Sequence, residues 1–280
     1  MIPDKTVLTS EMRAARFQPI AVIVALIFSL AAAAQNKQAT KGSNGIDTLP
    51  RNLEIQVALS ALPPHLRDSA TVYVLNPGKG FEVARKGTNG FHAFVARTGD
   101  DAMRGSWPLK EYRDDILYPV SFDEAGTKAQ MRVFFDIAAM QAKGTAPEKL
   151  KKIIQDRYKT NYYTAPERAG LSYMLSPILR TYTNPDADDQ VVTSSNPHVM
   201  HYAPNVANQD IGGVKPSHSP YPFIILQGPH GYVIQHFGEK ERAAIVKEYK
   251  EVLARLCQIK KEWCLPKSDG QGQTPMHKHN

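Results

Sequence analysis

The chain has 280 residues, a formal net charge of +7 and two cysteines. Its basic residues are spread rather than clustered, which argues against nucleic acid as a partner, and two cysteines allow one disulfide but are too few for a cysteine-built metal site. The length suits one large domain or two small ones, and no internal repeat or clear linker marks a second domain.

Taken from the start, the first informative segment runs from Arg13 to Gln35. Arg13 and Arg16 precede an apolar run from Ile20 to Leu30, and Ala32 and Ala34 supply the small side chains that a signal-peptidase site requires. Residues 1–34 are therefore expected to be a cleaved export signal, giving a periplasmic or secreted protein. The competing expectation is an uncleaved membrane anchor over residues 17–34. Ile20 to Ala34 is short for that role, because a helix rising about 1.5 Å per residue needs roughly 20 residues to cross the hydrocarbon. Gln18 and Pro19 weaken any upstream extension.

Residues 35–50 are polar and aperiodic and read as a disordered spacer. Residues 51–264 form the expected single domain, of the α+β class. It should contain a mostly antiparallel sheet, two central helices and a long C-terminal helix, followed by a flexible tail over 265–280. Leu53 to Leu59 alternates apolar and polar residues and predicts a strand; Thr71 to Leu75 predicts a second. Phe81 to Lys86 and Phe91 to Arg97 flank Gly87-Thr-Asn-Gly90, a strong hairpin signal because asparagine and glycine tolerate positive φ. The stripes in Lys128 to Lys143 and Pro147 to Tyr158 predict two helices, the first ended by Gly144. Lys149, Lys151, Lys152, Arg157 and Lys159 read as a solvated face of the second.

Strand patterns return in Gly170–Ser176, His198–Ala203, Phe223–Gln227 and Gly231–Phe237, and helical spacing from Glu239 to Trp263 predicts one long last helix. Cys257 and Cys264 stand about 10 Å apart along a continuous helix and cannot bond in it. They can bond only if the helix ends after about Ile259.

Several segments together carry a resemblance: Ala70-Thr-Val-Tyr-Val-Leu75, Arg85-Lys-Gly-Thr-Asn-Gly-Phe91, Gly170-Leu-Ser-Tyr-Met-Leu175, Pro197-His-Val-Met-His-Tyr-Ala-Pro204, Pro222-Phe-Ile-Ile225 and Gly228-Pro-His-Gly-Tyr232. In this order they resemble a family of exported bacterial proteins of uncharacterised function, over roughly Leu53 to Phe237. The resemblance implies export and a shared fold, and no activity. Members of that family often carry two cysteines at the places held here by Ala93 and Ser121, and their joint replacement is what a bonded pair would show.

No Gly-x-Ser-x-Gly elbow, phosphate loop, Gly-x-Gly-x-x-Gly or His-Glu-x-x-His motif is present. The acidic Asp186–Asp189 lacks the glycine and distal glutamate of a calcium loop and reads as a solvated turn. Met276-His-Lys-His279 reads as part of the tail. His198 and His201 point to opposite faces of a strand. One arrangement carries a site: if the strands starting near His198 and His230 are neighbours, His198, Met200 and Tyr202 face His230 and Tyr232 as a surface for a small ligand or a soft metal.

The expectation is thus an exported, non-enzymatic protein that binds a small molecule or an envelope partner there. No catalytic residue, metal site or cofactor is assigned, and a membrane enters only if residues 17–34 are uncleaved. The alternatives are a hydrolase or metal-dependent enzyme centred on His198 and His230, with Ser172, Tyr173 or Asp210 as unplaced helpers, and an anchored envelope structural protein. Intact-mass measurement of secreted material is expected to find a chain beginning at Gln35; a mass that retains residues 1–34 would establish the anchor instead.

Overall fold

A stretch that alternates like a strand, Leu53 to Leu59, folds as the first helix, α1 (Arg51–Ser60). Leu53, Val57, Ala58, Ala61 and Leu62 are fully buried at helical spacing, and this stripe overrides the alternation of Leu53, Ile55, Val57 and Leu59. The structure, a computed structural model, describes residues 48–97, 112–183, 190–213 and 221–266. The expected export signal, nearly all of the spacer and the tail, Asp186–Asp189 and Met276–His279 lie outside the described residues. At the inner margins of the spacer and tail, Leu49 is buried and Leu265 packs against the core.

After the short helix α2 (Pro64–Arg67), strands β1 (Thr71–Asn76) and β2 (Gly80–Arg85) form an antiparallel hairpin. Its turn is Asn76–Gly80, closed by the Asn76 carboxamide accepting from the Gly78 N–H at 3.0 Å, with Gly80 at φ +97°. The hairpin expected at Gly87–Gly90 does not form, because β3 (His92–Ala96) pairs with β1, in parallel, and never with β2. Gly87–Gly90 instead carries the chain across the start of β1. The Thr88 and Asn89 N–H groups donate to Ser69 O, and a Cβ on Gly87 would lie 2.2 Å from that oxygen, so only glycine passes.

β4 (Tyr118–Phe122) completes a sheet of order β2-β1-β3-β4. In its β3–β4 register Ala93 lies opposite Ser121, so the two positions that the resemblance implied as a cysteine pair are cross-strand neighbours. β3 is buried on both faces. Ala93 and Val95 join α1 in one cluster, while Phe94 and Ala96 join a second cluster under the helices that follow. Those are α3 (Glu124–Ala129), α4 (Met131–Ala142) and α5 (Pro147–Lys159), the last two matching the expected pair.

A second sheet, order β5-β8-β10-β9, is antiparallel throughout: β5 (Leu171–Met174), β8 (His198–Tyr202), β10 (Tyr232–His236) and β9 (Phe223–Leu226). Its outer strand β9 is closed at one point by Asn208, whose carboxamide accepts from Ile224 N–H at 2.6 Å and donates to Ile224 O at 3.3 Å. The two sheets meet where β4 lies against β5. Ser121 Oγ donates to Tyr173 O at 3.0 Å, Ser172 Oγ donates to Ser121 O at 2.5 Å, and the Asp123 carboxylate accepts the Leu171 N–H at 3.1 Å. A small hairpin, β6 (Leu179–Tyr182) and β7 (Val191–Ser194), attaches through Leu117 opposite Arg180.

The long last helix is interrupted. α6 (Glu239–Glu248) and α7 (Lys250–Ile259) are separated at Tyr249, and Lys260 is extended at φ −147° and ψ 126°. That extended residue folds a one-turn 3₁₀ segment back along α7, so Cys257 and Cys264 come to a Cα separation of 4.4 Å and are bonded. Trp263 is carried into the core, where its Nε1–H donates to Asp115 O at 2.7 Å. The Asp115 carboxylate takes Arg113 at 2.8 Å and Arg180 at 3.0 Å. Burial alone would raise its pKa, yet those hydrogen bonds hold it below the usual carboxylate range.

Ser172→Ala leaves the buried Ser121 carbonyl without its hydroxyl donor at the sheet junction, and is expected to cost about 1–3 kcal/mol in urea unfolding. An unchanged midpoint would show that the junction does not depend on that bond.

Candidate functional site

The expected His/Met/Tyr surface is decided by strand register. β8 and β10 are neighbours, with Tyr202 opposite Tyr232, Met200 opposite Ile234 and His198 opposite His236. His230 precedes β10 at its far end, six residues from His236 and so about 20 Å along the strand. No ligand can touch both His198 and His230, and a reaction centre shared by them has no geometric basis. Each has a different partner: the His198 ring lies 5.3 Å from His236, and the His230 ring 5.0 Å from Tyr158.

Tyr202 faces Tyr232 across the strands, with Met200 and His198 further along β8, and all four lie inside the protein, at 6%, 1%, 2% and 4% exposure. Met200, Tyr202 and Tyr232 belong to the same core cluster as the buried face of α4, so this side of the sheet is packed rather than open. His198 Nδ1 is 2.7 Å from Asn196 O. The Tyr202 hydroxyl abuts Gly126, where a Cβ would sit 1.9 Å away, and burial together with the neighbouring Asp123 carboxylate pushes its pKa upward. The proposed helpers are occupied elsewhere. Ser172 serves the sheet junction, Tyr173 packs 5.9 Å from the Phe91 ring, and Asp210 accepts from Ala207 N–H at 2.8 Å.

The residues around His230 form a different arrangement, built by the end of α5. Asn161 adopts the left-handed conformation at φ 54°. The Asn161 N–H then returns to Tyr158 O at 3.2 Å and the Tyr162 N–H to Arg157 O at 2.9 Å, which is a Schellman ending. That turn sends the next two tyrosines in opposite directions. Tyr163 is buried, and its hydroxyl donates to the Asp136 carboxylate at 3.0 Å. Tyr162 stays 40% exposed.

Arg157 reaches from α5 to the same Asp136 oxygen at 2.7 Å and to the Tyr163 hydroxyl at 3.2 Å. Its guanidinium also lies 4.6 Å from the Tyr162 ring centre, and that of Arg132, from the first turn of α4, lies 4.1 Å from it. Below them Tyr158 packs between Tyr163 and His230, each 5.0 Å away. Burial raises the pKa of Tyr158 and Tyr163 and lowers that of His230, so all three are held in their neutral forms at pH 7. The positive charge at this surface therefore comes from the two arginines, and Asp136 balances that of Arg157.

Among the described residues no group of three or more histidine, cysteine, aspartate or glutamate side chains is placed to hold a metal ion. The Tyr73 hydroxyl meets His92 Nδ1 at 2.9 Å, beneath Phe135, and burial keeps both neutral without bringing up a third polar group. A cavity between α4 and the first sheet, lined by Leu75, Phe81, Arg97 and Gln141 among others, is about the size of one water molecule. No helix among the described residues is long and apolar enough to cross a membrane.

Compared with known proteins, the chain matches no family model, no curated protein and no solved structure.

Among the described residues, Glu54, on the buried side of α1, has a carboxyl with a strongly raised pKa. Burial raises its pKa to about 7, against the smaller opposing effects of the Leu75 N–H at 2.8 Å and the Arg97 charge. A raised folded-state pKa stabilises the protein below the unfolded value of 4.5, and that contribution is lost as pH rises through about 7. Glu54→Gln should therefore gain stability relative to the parent between pH 5 and pH 8, by up to about 3 kcal/mol in denaturant titrations. A difference independent of pH would remove this carboxyl from the pH response.

Proposed function

We propose that this is an exported, non-enzymatic binding protein that engages a partner through the surface around Tyr162. Export is supported by the Arg13, Arg16 and Ile20–Leu30 pattern ending at Ala34. The observation that carries the binding reading is the exposed Tyr162 ring bearing two guanidinium groups, of which only Arg157 is matched by a carboxylate. An exposed aromatic fixed by neighbouring arginines is the type of group that anchors protein interfaces, because little conformational freedom is left to lose on contact.

The place of binding moves accordingly. Of the five residues expected to line a ligand surface, His230 stands by this one, whereas His198, Met200, Tyr202 and Tyr232 build the core. Thermal-shift screening of the purified protein against acidic, neutral and basic ligands and divalent metals is expected to give shifts that disappear in Tyr162→Ala. Because Tyr162 is exposed, that substitution should change the ligand-free melting temperature by no more than about 2 °C. No shift with any ligand, or shifts that persist without Tyr162, would count against the reading.

A further inference from the structure

We infer that the partner presented to Tyr162 is a carboxylate-rich segment of another protein, with Arg132 as its anchor. The inference rests on the binding reading above and adds the chemistry of what is bound. The acidic groups of α3 and α4 are already engaged: Glu124 takes Lys128 at 3.0 Å and lies 4.0 Å from Arg168, and Asp136 takes Arg157 at 2.7 Å. Arg132 is exposed and has no carboxylate partner among the described residues; its contact is the Tyr162 ring. Exposed Lys149 and Lys152 on α5 add further positive charge, in a chain whose formal net charge is +7.

The form of the arginine selects the anion. A guanidinium lying over an aromatic ring keeps its N–H edge free, and that planar fork matches the two oxygens of a carboxylate. Stacking on Tyr162 also restrains Arg132 before any partner arrives. A single exposed ion pair gives no more than about a fivefold gain in affinity, so one small free anion would be held poorly. A segment with several carboxylates can meet Arg132 and extend along α5 toward Lys152 and Lys149, roughly 15–20 Å away at the rise of a helix. A lipid surface fits less well. Tyr162 is the one large exposed apolar side chain on α3, α4, α5 and the turn that ends α5, which leaves nothing else to insert among acyl chains.

The test titrates the full chain with a ten-residue glutamate peptide and, in parallel, with phosphatidylglycerol vesicles, both at physiological salt. The peptide is expected to bind, with Arg132→Ala weakening it about fivefold and Arg132→Lys less than that, because lysine keeps the charge but loses the fork. Lys250→Ala removes the same charge from an exposed position on α7, outside this surface, and should change affinity less than twofold. Equal losses for Arg132→Ala and Lys250→Ala would reduce the effect to undirected attraction and overturn the inference. Binding to vesicles without binding to the peptide would also overturn it. If Tyr162-dependent thermal shifts occur with other ligands while the peptide fails, the carboxylate inference falls and the binding surface stands. If neither is seen, both fall.

Discussion

The fold depends on how two four-stranded sheets are held side by side without a shared ladder. β4 and β5 face each other across a seam in which one backbone bond, Asp123 N–H to Leu171 O at 3.3 Å, is joined by side chains: Ser121 Oγ reaches Tyr173 O, Ser172 Oγ reaches Ser121 O, and the Asp123 carboxylate accepts from Leu171 N–H. A buried carbonyl without a donor is costly, so each of these short side chains satisfies a group that a regular ladder would have satisfied. Serine fits because its hydroxyl reaches one carbonyl while its small volume lets the strands approach. The seam also gives the helices one common floor. Phe94 and Phe122 from the first sheet and Met200, Tyr202 and Tyr232 from the second belong to a single cluster with Phe134 and Ile154. Position 121 serves between the sheets here, whereas a cysteine bonded to position 93 would have tied strands within one sheet.

The surface around Tyr162 inherits its precision from that packed floor. Tyr158 and Tyr163 are fixed against it, Asp136 is fixed by Tyr163 and Arg157, and the exposed ring stands on the result. The opposite side of the first sheet is secured differently. There the Cys257–Cys264 bond closes the C-terminal turn, and Trp263 donates to the main chain of Asp115, whose carboxylate joins Arg113 and Arg180. One side of the protein is thus built to present groups, the other to lock the turn after α7 in place.

What was readable beforehand follows from which forces act locally. The α+β class, α4, α5 and most strands follow from periodicity, because the same apolar stripes meet the same core. Leu53 to Leu59 misled because its apolar residues satisfy both periods, and the arbiter, burial of Ala58, Ala61 and Leu62, lies at and beyond the end of the segment. Gly87–Gly90 misled because a turn sequence specifies a conformation, not which strands pair. The break at Tyr249 carries no proline or glycine. The histidine surface failed on register: His198 meets His236, a matter of which residues of two strands lie opposite, and no composition reveals it. The Tyr162 surface escaped notice because its signal is a lone asparagine at the end of a helix, and Arg132, one of its two arginines, comes from α4, distant in sequence.

Asn208 has a consequence that reaches beyond a single molecule. An outer strand offers its free backbone groups to any passing chain, and repeated acceptance leads to ribbons and fibres. At Ile224 both groups are already taken by one carboxamide, which copies the pattern of a neighbouring strand and then stops. A second copy of the chain arriving there finds neither group of that residue free, so this rim is guarded against the protein's own polymerisation.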